Sequence, residues 1–282
     1  MKSSDMETQI IPTVNYHCTK SCNFHCKYCF AHFNDVCGQQ LSEFDSLNLI
    51  KKLAECGYFT KINFAGGEPM LVPHLDKLIK TAKEYGMKTS IVTNGSRLSP
   101  EWIKQVSEHL DIIAISVDSI NVNTNNNIGK KTLLENLTQL IRTIHDENIK
   151  LKINTVVSAY NKEETLTSFI NEAMTFKWKI LQATKIIGQN EADFSKVAVS
   201  EKDYKSFCDR NGEMLSPDIE IVCESENAII GSYCMIDHRG CFFDDSSGQH
   251  RYSDPILKIG VEKALQQTVY SFDKFNERKG NY

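Results

Sequence analysis

Apolar residues along this chain fall into short runs that alternate with longer segments of helical spacing. The first run, Gln9–Tyr16, is rich in β-branched residues and leads into a cysteine-rich loop. The next segment, Leu41–Cys56, places Leu47, Ile50 and Ala54 on one helical face. This alternation predicts a parallel sheet built from right-handed strand–helix–strand units.

The same alternation continues to about residue 185. The later predicted strands are Lys61–Phe64, Lys88–Thr93, Ile112–Val117, Lys150–Val157 and Trp178–Ala183. The helices predicted between them are Pro73–Tyr85, Pro100–Leu110, Lys131–Asp146 and Lys162–Thr175. We therefore predict an α/β fold in which residues 9–185 form a partial (β/α)6 barrel.

The remaining C-terminal part has a less regular pattern. Residues 186–282 contain a helix near Glu201–Arg210 and short strands near Glu220–Cys223 and Ser232–Ile236. Because no repeat or low-complexity linker separates them from the barrel, we predict an irregular C-terminal extension that closes the substrate pocket. Residues 1–8 are short and polar, and we predict that they are disordered or loosely ordered.

Composition narrows the functional classes. The 282 residues are 41% hydrophobic and 24% charged, which is typical of a globular protein, and a net charge of −4 provides no global basic field for nucleic acid. No apolar run approaches the roughly 20 residues that span a bilayer, so we expect a cytoplasmic protein without a membrane partner. Clustered cysteines in such a reducing compartment indicate metal or redox chemistry rather than disulfides.

Four of the ten cysteines lie close together, and three of them, Cys22, Cys26 and Cys29, have the spacing CxxxCxxC. Cysteine thiolates hold iron–sulfur clusters, and three ligands on a four-iron cluster leave one iron open to a small chelator. The alternative is a zinc site completed by a nearby histidine, although zinc sites usually combine two close ligands with two distant ones. We predict a [4Fe–4S] cluster and treat Cys18 as a packed thiol.

The turn Gly66-Gly67-Glu68-Pro69 follows the second predicted strand. Paired glycines let the backbone approach a ligand closely, and Glu68 can accept the ammonium group of a bound amino acid. The turn and the cysteine motif together match the radical SAM superfamily, in which the chelator is the methionine moiety of S-adenosylmethionine (SAM). We therefore expect Gly66, Gly67 and Glu68 to bind SAM.

Two further predicted strands end in polar residues, at Asn94 and at Ser116. Asn and Ser are common in turns, so simple turn chemistry is one interpretation. Ligands of parallel barrels, however, bind at the carboxyl ends of the strands. We predict that Asn94 and Ser116 help to hold the methionine or ribose of SAM.

Lys61, Lys152, Lys177 and Lys179 occur in or beside three strands, at positions that alternate with apolar residues. The apolar positions should pack outward against helices, so the lysines should face the lumen. Burying unpaired ammonium groups is costly, and these strands offer few carboxylates. The pattern predicts a polyanionic ligand such as a triphosphate; alternatively, the lysines lie in solvent at the mouth of the barrel.

Several segments together resemble the viperin family, and in particular its prokaryotic members, because the membrane-binding amphipathic helix of the vertebrate members is absent here. The resemblance keeps its order from about residue 10 into the C-terminal region. Its segments are Asn15–His17, Cys29-Phe30, Lys61–Pro69, Thr93–Ser96, Ala114–Ser119, Lys152–Asn154, Trp178–Gln182, Glu224–Asn227, Ser232-Tyr233 and Ile256–Glu262.

The resemblance implies that the protein dehydrates a nucleoside triphosphate. In this chemistry a 5′-deoxyadenosyl radical removes the ribose 4′-hydrogen and the 3′-hydroxyl leaves. One electron from an external reductant then completes a 3′-deoxy-3′,4′-didehydro nucleotide, which terminates viral RNA chains. The implied substrate is CTP, with UTP and GTP left open, and the implied role is defence against phage. We expect a monomer.

The resemblance also implies roles for individual residues. The four lysines match triphosphate-binding positions, Asn63 and Asn154 match positions near the ribose and base, and Tyr233 matches a tyrosine of the C-terminal loop. Near residues 248–254, where the family has a further phosphate-binding lysine, this sequence offers His250 or Arg251.

Two other functions compete with this one. A different radical SAM enzyme could act on a peptide or a purine derivative, although the C-terminal cysteines lack the CxxC pair expected of a second cluster. A non-enzymatic zinc-binding module would explain the cysteines but neither the Gly-Gly-Glu-Pro turn nor the lysines.

Overall fold

The computed structural model describes residues 10–130 and 134–277. Residues 1–8, for which we predict a loose N-terminus, lie outside these ranges, as does the start of the helix predicted at Lys131. Within them the strands are β1 Val14–His17, β2 Lys61–Ala65, β3 Lys88–Thr93, β4 Ile112–Ser116, β5 Lys150–Val157, β6 Lys177–Gln182, β7 Glu220–Glu224, β8 Cys234–Ile236, β9 Cys241–Asp244 and β10 Arg251–Pro255.

Helices connect the strands of the barrel, and further helices follow in the C-terminal extension. They are α1 Glu43–Glu55, α2 Leu75–Glu84, α3 Pro100–Val106, α4 Val122–Ile128, α5 Leu134–Asp146, α6 Thr167–Glu172, α7 Glu191–Val197, α8 Glu201–Gly212, α9 Glu226–Ile229, α10 Ile256–Ile259, α11 Val261–Leu265 and α12 Phe272–Glu277. The local sequence sets their starts; α1, for example, begins after Ser42, whose hydroxyl accepts the Asp45 backbone N–H.

The described strands form one sheet in the order β10-β9-β8-β1-β2-β3-β4-β5-β6-β7. Strands β1 to β6 are parallel and pair in sequence order, as the partial barrel requires. The extension adds a strand at each side of this barrel, because β7 pairs parallel with β6 and β8 pairs parallel with β1. Strands β7 and β8 therefore lie at opposite edges of the barrel wall, and β9 and β10 continue the sheet beyond β8.

Alternating faces of the barrel strands have different surroundings. Ile62, Phe64, Ile153 and Trp178 are fully buried in the main hydrophobic core between the sheet and the helices. The residues between them face inward, and several of these line an internal cavity. The alternation of inward and outward side chains in β2, β5 and β6 is therefore as predicted. Packing of the outward side chains in the core fixes which side chains face inward.

Candidate active site

The cysteine loop that follows β1 is fastened on two sides by backbone hydrogen bonds. On one side the Gly67 N–H donates to the Thr19 carbonyl at 2.7 Å, and the Glu68 N–H donates to the Ser21 carbonyl at 2.8 Å. On the other side the His25 N–H donates to the Gly129 carbonyl at 3.2 Å, at the end of α4. The loop is thus held between the Gly-Gly-Glu-Pro turn and α4.

Both glycine contacts are too close for any side chain. A Cβ on Gly67 would lie 2.2 Å from the Ser21 carbonyl oxygen, and a Cβ on Gly66 would lie 2.4 Å from the Thr19 carbonyl oxygen. The glycines therefore let two backbone segments pack in direct contact, rather than leaving room only for a ligand. The main role of these two glycines is therefore to position the cysteine loop.

The three predicted cluster cysteines are half-buried and close enough to influence one another's charge. Burial raises the pKa of Cys26 to about 12, an effect opposed by the Lys130 cation and reinforced by Cys29 and Cys22. Burial likewise raises the pKa of Cys22 and that of Cys29. Thiolates grouped in this way become stable when a metal centre coordinates them, so this donor set fits an iron–sulfur cluster.

Cys18 differs from these three. It is buried, and its thiol donates to the Ala65 carbonyl at 3.3 Å. Burial raises its pKa to about 12. This is the packed thiol that the sequence predicts.

Glu68 joins the ends of β2 and β3. Its buried carboxylate accepts hydrogen bonds from the Thr93 hydroxyl at 2.6 Å, the Asn94 N–H at 2.7 Å and the Met70 N–H at 3.1 Å. Burial raises its pKa, and these three hydrogen bonds oppose the rise. An ionised carboxylate offers about four acceptor sites, so it retains capacity for one further donor such as an ammonium group.

Asn94 lies directly beside the cysteine loop. Its amide nitrogen donates to Asn23 at 2.9 Å and is 4.0 Å from the Cys22 sulfur. Ser116 ends β4 and is opposite Asn154 of β5, which in turn is opposite Lys179 of β6. The polar strand ends thus form one row that runs from the cysteine loop toward the lysines.

Sequence reasoning missed a buried group behind the cysteine loop. The Lys130 ammonium pairs with the Asp118 carboxylate at 2.6 Å, and both side chains are buried. Asp118 also accepts the Tyr28 hydroxyl and, at 2.8 Å, the Val156 N–H. The sequence signal that could have revealed this pair is Gly129. It ends α4 in a left-handed conformation with φ of 97° and so directs Lys130 back toward the loop.

The inward faces of the strands enclose a small cavity of ≈ 20 Å³. The lining residues are Thr13, Asn15, Lys61, Asn63, Ser90, Val92, Ile112, Ala114 and Lys152. Lys61 and Lys152 therefore face the same internal space, with only 3% and 5% of their surfaces exposed, and the alternative of lysines in solvent at the barrel mouth is wrong for both.

Asn63 belongs to a hydrogen-bonded chain within this cavity. Its side-chain nitrogen donates to the Asn15 Oδ1 at 2.9 Å, and its Oδ1 accepts from the Ser90 hydroxyl at 2.8 Å. Asn15 was not predicted as a site residue. The buried Oδ1 of Asn154 has no hydrogen-bond partner within residues 10–130 and 134–277, and thus marks a place for a ligand donor.

The expectation that few carboxylates lie near the lysines is wrong for β6. Strand β7 brings Glu220 to 2.8 Å from the Lys177 ammonium and Glu224 to 2.7 Å from the Lys179 ammonium. The Tyr233 hydroxyl contacts both Lys179 and Glu224. Sequence reasoning missed these pairs because β7 lies 40 residues beyond β6, and its position beside β6 depends on the tertiary fold.

His250 and Arg251 do not extend this row of cations. His250 is buried among aromatic rings, with its ring centroid 4.9 Å from that of Phe243, and burial lowers its pKa to about 4. Arg251 is exposed at the start of β10. Neither is among the described residues that line the cavity.

Comparison with known sequences identifies close relatives. Residues 16–173 match the sequence profile of the Radical SAM superfamily. The chain is 41% identical to an S-adenosylmethionine-dependent nucleotide dehydratase of Flammeovirga pacifica, across 97% of this chain and 96% of that protein. It is 44% identical to the protein of the same name from Lacinutrix mariniflava, across 96% of this chain and 58% of that longer protein.

Similarity extends to a vertebrate protein and to solved structures. The nucleotide dehydratase RSAD2 of Oncorhynchus mykiss is 32% identical across 96% of this chain and 80% of its own length. The structure of anSMEcpe with bound AdoMet has a TM-score of 0.70 at 15% identity, covering 95% of this chain and 82% of that one. Streptococcus suis SuiB bound to S-adenosylmethionine has a TM-score of 0.66 at 14% identity, covering 83% and 60%.

These structural likenesses concern the fold, and they confirm the predicted partial barrel. The described helices include none with both the length and the apolar character needed to cross a bilayer.

Proposed function

The chain belongs to the radical SAM superfamily and to its S-adenosylmethionine-dependent nucleotide dehydratases, and from this premise we propose that it removes water from the ribose of a ribonucleoside triphosphate. The product is the 3′-deoxy-3′,4′-didehydro nucleotide, and CTP is the first substrate to test, followed by UTP and GTP. Because the chain belongs to this family of enzymes, the hypothesis of a non-enzymatic zinc-binding module is wrong.

A protein of this superfamily uses a [4Fe–4S] cluster and SAM. Bound together, these groups supply a 5′-deoxyadenosyl radical that takes one hydrogen atom from the substrate. We assign the cluster to Cys22, Cys26 and Cys29, because their thiols share one loop and influence one another's charge. Three ligands leave one iron for the chelating groups of SAM.

Residues around the loop are suited to orient SAM. Glu68 retains an acceptor site for the ammonium group of SAM, while Asn94 lies beside the Cys22 sulfur. Ser116 ends the neighbouring strand β4. The buried Lys130, which pairs with Asp118, lies close enough to Cys26 and Cys29 to oppose the rise in their pKa.

The observation that carries the nucleotide assignment is the polar cavity below this site. Lys61 and Lys152 reach it from two strands and offer cations to a triphosphate, with Lys177 on the neighbouring strand. The cavity has a volume of ≈ 20 Å³, which is room for about one water.

With the triphosphate bound by these lysines, the ribose lies between the phosphates and SAM. Asn154 lies directly opposite Ser116 across β4 and β5, and its Oδ1, which has no hydrogen-bond partner among the described residues, can accept a ribose hydroxyl. Asn63, with its Asn15 and Ser90 neighbours, offers further polar contacts. Such fixation matters because hydrogen abstraction has little selectivity of its own, and the enzyme selects the 4′-hydrogen by positioning it.

Anaerobic turnover of all four ribonucleoside triphosphates with SAM and a one-electron reductant tests this proposal. We expect one nucleotide to lose the mass of one water, and deuterium placed at its 4′-carbon to appear in 5′-deoxyadenosine. Deuterium transfer from another ribose carbon would contradict the dehydration assignment. Formation of 5′-deoxyadenosine with every nucleotide unchanged would contradict it as well.

We further propose that the product terminates viral RNA chains, as part of a defence against phage. A nucleotide without a 3′-hydroxyl cannot be extended by a polymerase. Cells that make the protein should therefore restrict phage growth, and cells with the Cys22→Ala variant should not.

A further inference from the structure

Two cysteines that the candidate active site does not use lie in contact with each other. Cys208 belongs to α8 and Cys223 to β7, and their thiols are hydrogen-bonded to each other. Strand β7 is the last strand at one end of the described sheet. Two thiols at this separation are the reactants from which a disulfide forms, so the pair is a candidate modification site.

Helix α8 is tied to strand β6 at the level of this pair. The Tyr204 hydroxyl, one helical turn before Cys208, donates to the Ile180 carbonyl of β6 at 2.9 Å. Ile180 is in turn opposite Cys223 in the pairing of β6 with β7. The turn of α8 that carries Cys208 therefore lies beside the part of β7 that carries Cys223.

Packing of the end of α8 on β7 gives the same placement. A Cβ on Gly212 would lie 3.7 Å from the Ile221 side chain. Ile221 and Cys223 are two positions apart in β7, so their side chains point to the same face of the sheet. That face is the one on which α8 packs, and both thiols therefore lie between the helix and the strand.

The two thiols differ in their access to solvent. Cys208 is buried in the main hydrophobic core, with 8% of its surface exposed, whereas Cys223 is exposed. A reagent in solution can therefore reach Cys223, and Cys208 can then react with the modified sulfur. The hydrogen bond with Cys223 lowers the pKa of Cys208 below its usual value, although burial opposes the change. This favours the thiolate, which is the form that attacks a disulfide.

We propose that Cys208 and Cys223 form a reversible disulfide, which fastens α8 to the edge strand β7 when the protein meets a low-molecular-weight disulfide. In the first step the Cys223 thiolate attacks the small disulfide and releases one small thiolate. In the second step the Cys208 thiolate attacks the Cys223 sulfur, forms the protein disulfide and releases the second small thiolate. The two protein thiols lose two electrons and two protons, and the small disulfide is reduced to two thiols.

Glutathione disulfide, added anaerobically to the cluster-loaded protein, tests this site. After free thiols are blocked with N-ethylmaleimide, mass spectrometry without reduction should find peptides linked through Cys208 and Cys223, and dithiothreitol should remove the link. Fragment spectra separate Cys223 from Cys234, since one tryptic peptide contains both. Cys37, an exposed thiol in the loop after the cluster motif, is the reference and should carry glutathione as a mixed disulfide.

Two matched serine variants separate the steps of this exchange. In Cys208→Ser no second thiol can displace glutathione from Cys223, so this adduct should accumulate at least about tenfold above its level in the unmodified protein. In Cys223→Ser the buried Cys208 should stay reduced. Oxidation should also raise the urea midpoint of the unmodified protein, because the disulfide restricts the unfolded chain, and should leave that of Cys208→Ser unchanged.

Two results would overturn the proposal. One is a stable glutathione adduct on Cys223 of the unmodified protein without any link to Cys208, which would mean that the two sulfurs cannot reach disulfide geometry. The other is a lack of reaction at both cysteines under conditions that modify Cys37. Both measurements concern only the thiols, so they decide the matter whether or not the protein converts a nucleoside triphosphate.

Discussion

The sulfur atoms of the cysteine loop differ in their surroundings, although they lie within one short segment. Cys18 is sealed in the core and bonded to the Ala65 carbonyl, whereas Cys22 is half-buried and lies within reach of Asn94. A cluster needs thiolates that can reach a common centre, and only the second environment offers this.

We therefore predict that Cys22→Ala abolishes the brown colour and the roughly four irons per chain of the anaerobically reconstituted protein. SAM cleavage should be lost with the iron. Cys18→Ala is the control and should retain both, at a modest cost in stability. Iron analysis and visible absorption measure the outcome, and full iron content in Cys22→Ala would show that the ligand assignment is wrong.

Two lysines of β5 provide a second matched comparison. Lys152 lines the internal cavity, whereas Lys150 is exposed at the start of the same strand, 5.5 Å above the Phe176 ring. If Lys152 contacts the triphosphate, Lys152→Ala should weaken nucleotide binding by roughly 1.5–3 kcal/mol. Lys150→Ala should change it by no more than about 0.5 kcal/mol.

Calorimetry on the cluster-loaded protein with SAM present measures both variants. The affinity for SAM should stay near that of the unmodified protein in each. Equal losses of nucleotide affinity in the two variants would mean that the charge acts at long range and not through contact in the cavity.

The sequence identified the inward lysines because successive side chains of a strand point to opposite faces, which is a local rule. Ile62 and Ile153 turn outward into the core, which leaves Lys61 and Lys152 inward. The partners of Lys177 and Lys179 follow no local rule. Glu220 and Glu224 reach them from a strand whose place in the sheet depends on tertiary packing, so the sequence alone could not show that these two lysines pair with carboxylates.

At the scale of elements, two glycines of similar chemistry have opposite surroundings. A Cβ on Gly67 would lie 2.2 Å from the Ser21 carbonyl oxygen, in the backbone that carries the cluster cysteines. A Cβ on Gly212, at the end of α8, would meet no atom closer than the Ile221 side chain at 3.7 Å.

We predict that Gly67→Ala displaces the cysteine loop, so that the protein folds but takes up less than about half of its iron. Gly212→Ala should keep full iron content and raise the free energy of unfolding by about 0.4–1 kcal/mol, because alanine restricts the unfolded chain. Iron analysis and urea unfolding distinguish the two effects. A normally loaded Gly67→Ala protein would mean that the loop is not fastened by this contact.

Strands were predicted more accurately than helices, for a physical reason. The bounds of β3 and β5 agree with the prediction, since both strands are rich in β-branched residues. Helix α4 was missed because its seven residues are mostly asparagine, and it depends on capping by Asn121 and Gly129. Helix α6 starts later than predicted, at Thr167, since the hydrogen-bonded turn that begins at Ser158 continues to Glu164.

At the scale of the whole molecule, the extension continues the sheet on both sides of the barrel. The pairing of β8 with β1 joins residues more than 200 positions apart, as in the register of Val14 with Cys234. Contacts between residues so far apart in the chain leave no local sequence pattern. The extension could therefore be recognised as irregular, but the positions of its strands in the sheet could not be predicted. Its role in closing the pocket stays a prediction.

The barrel and the extension also meet in a buried cluster of three histidines, His17, His238 and His250, packed around Phe33 and Phe243. The His17 ring lies 5.3 Å from Phe243, and the His238 ring lies 5.5 Å from Phe33. Burial lowers the pKa of His17 to about 3, with smaller contributions from the other two histidines. Burial also lowers the pKa of His250 to about 4, opposed by the carboxylates of Asp35, Asp244 and Asp237.

These shifts predict that the fold loses stability in mild acid. In the folded protein His17 and His250 stay neutral down to about pH 4, whereas in the unfolded chain they gain protons below their ordinary pKa of 6.5. Because the unfolded state then binds more protons, the stability that each contributes is present above pH 6.5 and lost as pH falls below it. Between pH 7 and pH 5 the loss is about 2 kcal/mol for each histidine.

His17→Phe tests this directly, since phenylalanine keeps the aromatic packing and cannot be protonated. Urea unfolding at pH 7 and pH 5, under anaerobic conditions, should show a pH-dependent loss of stability smaller by about 2 kcal/mol than in the unmodified protein. His109→Gln, at a partly exposed site outside the cluster, should keep the full loss. Any acid damage to the iron–sulfur cluster affects all three proteins alike, so an unchanged pH dependence in His17→Phe would mean that His17 does not couple protonation to the docking of the extension on the barrel.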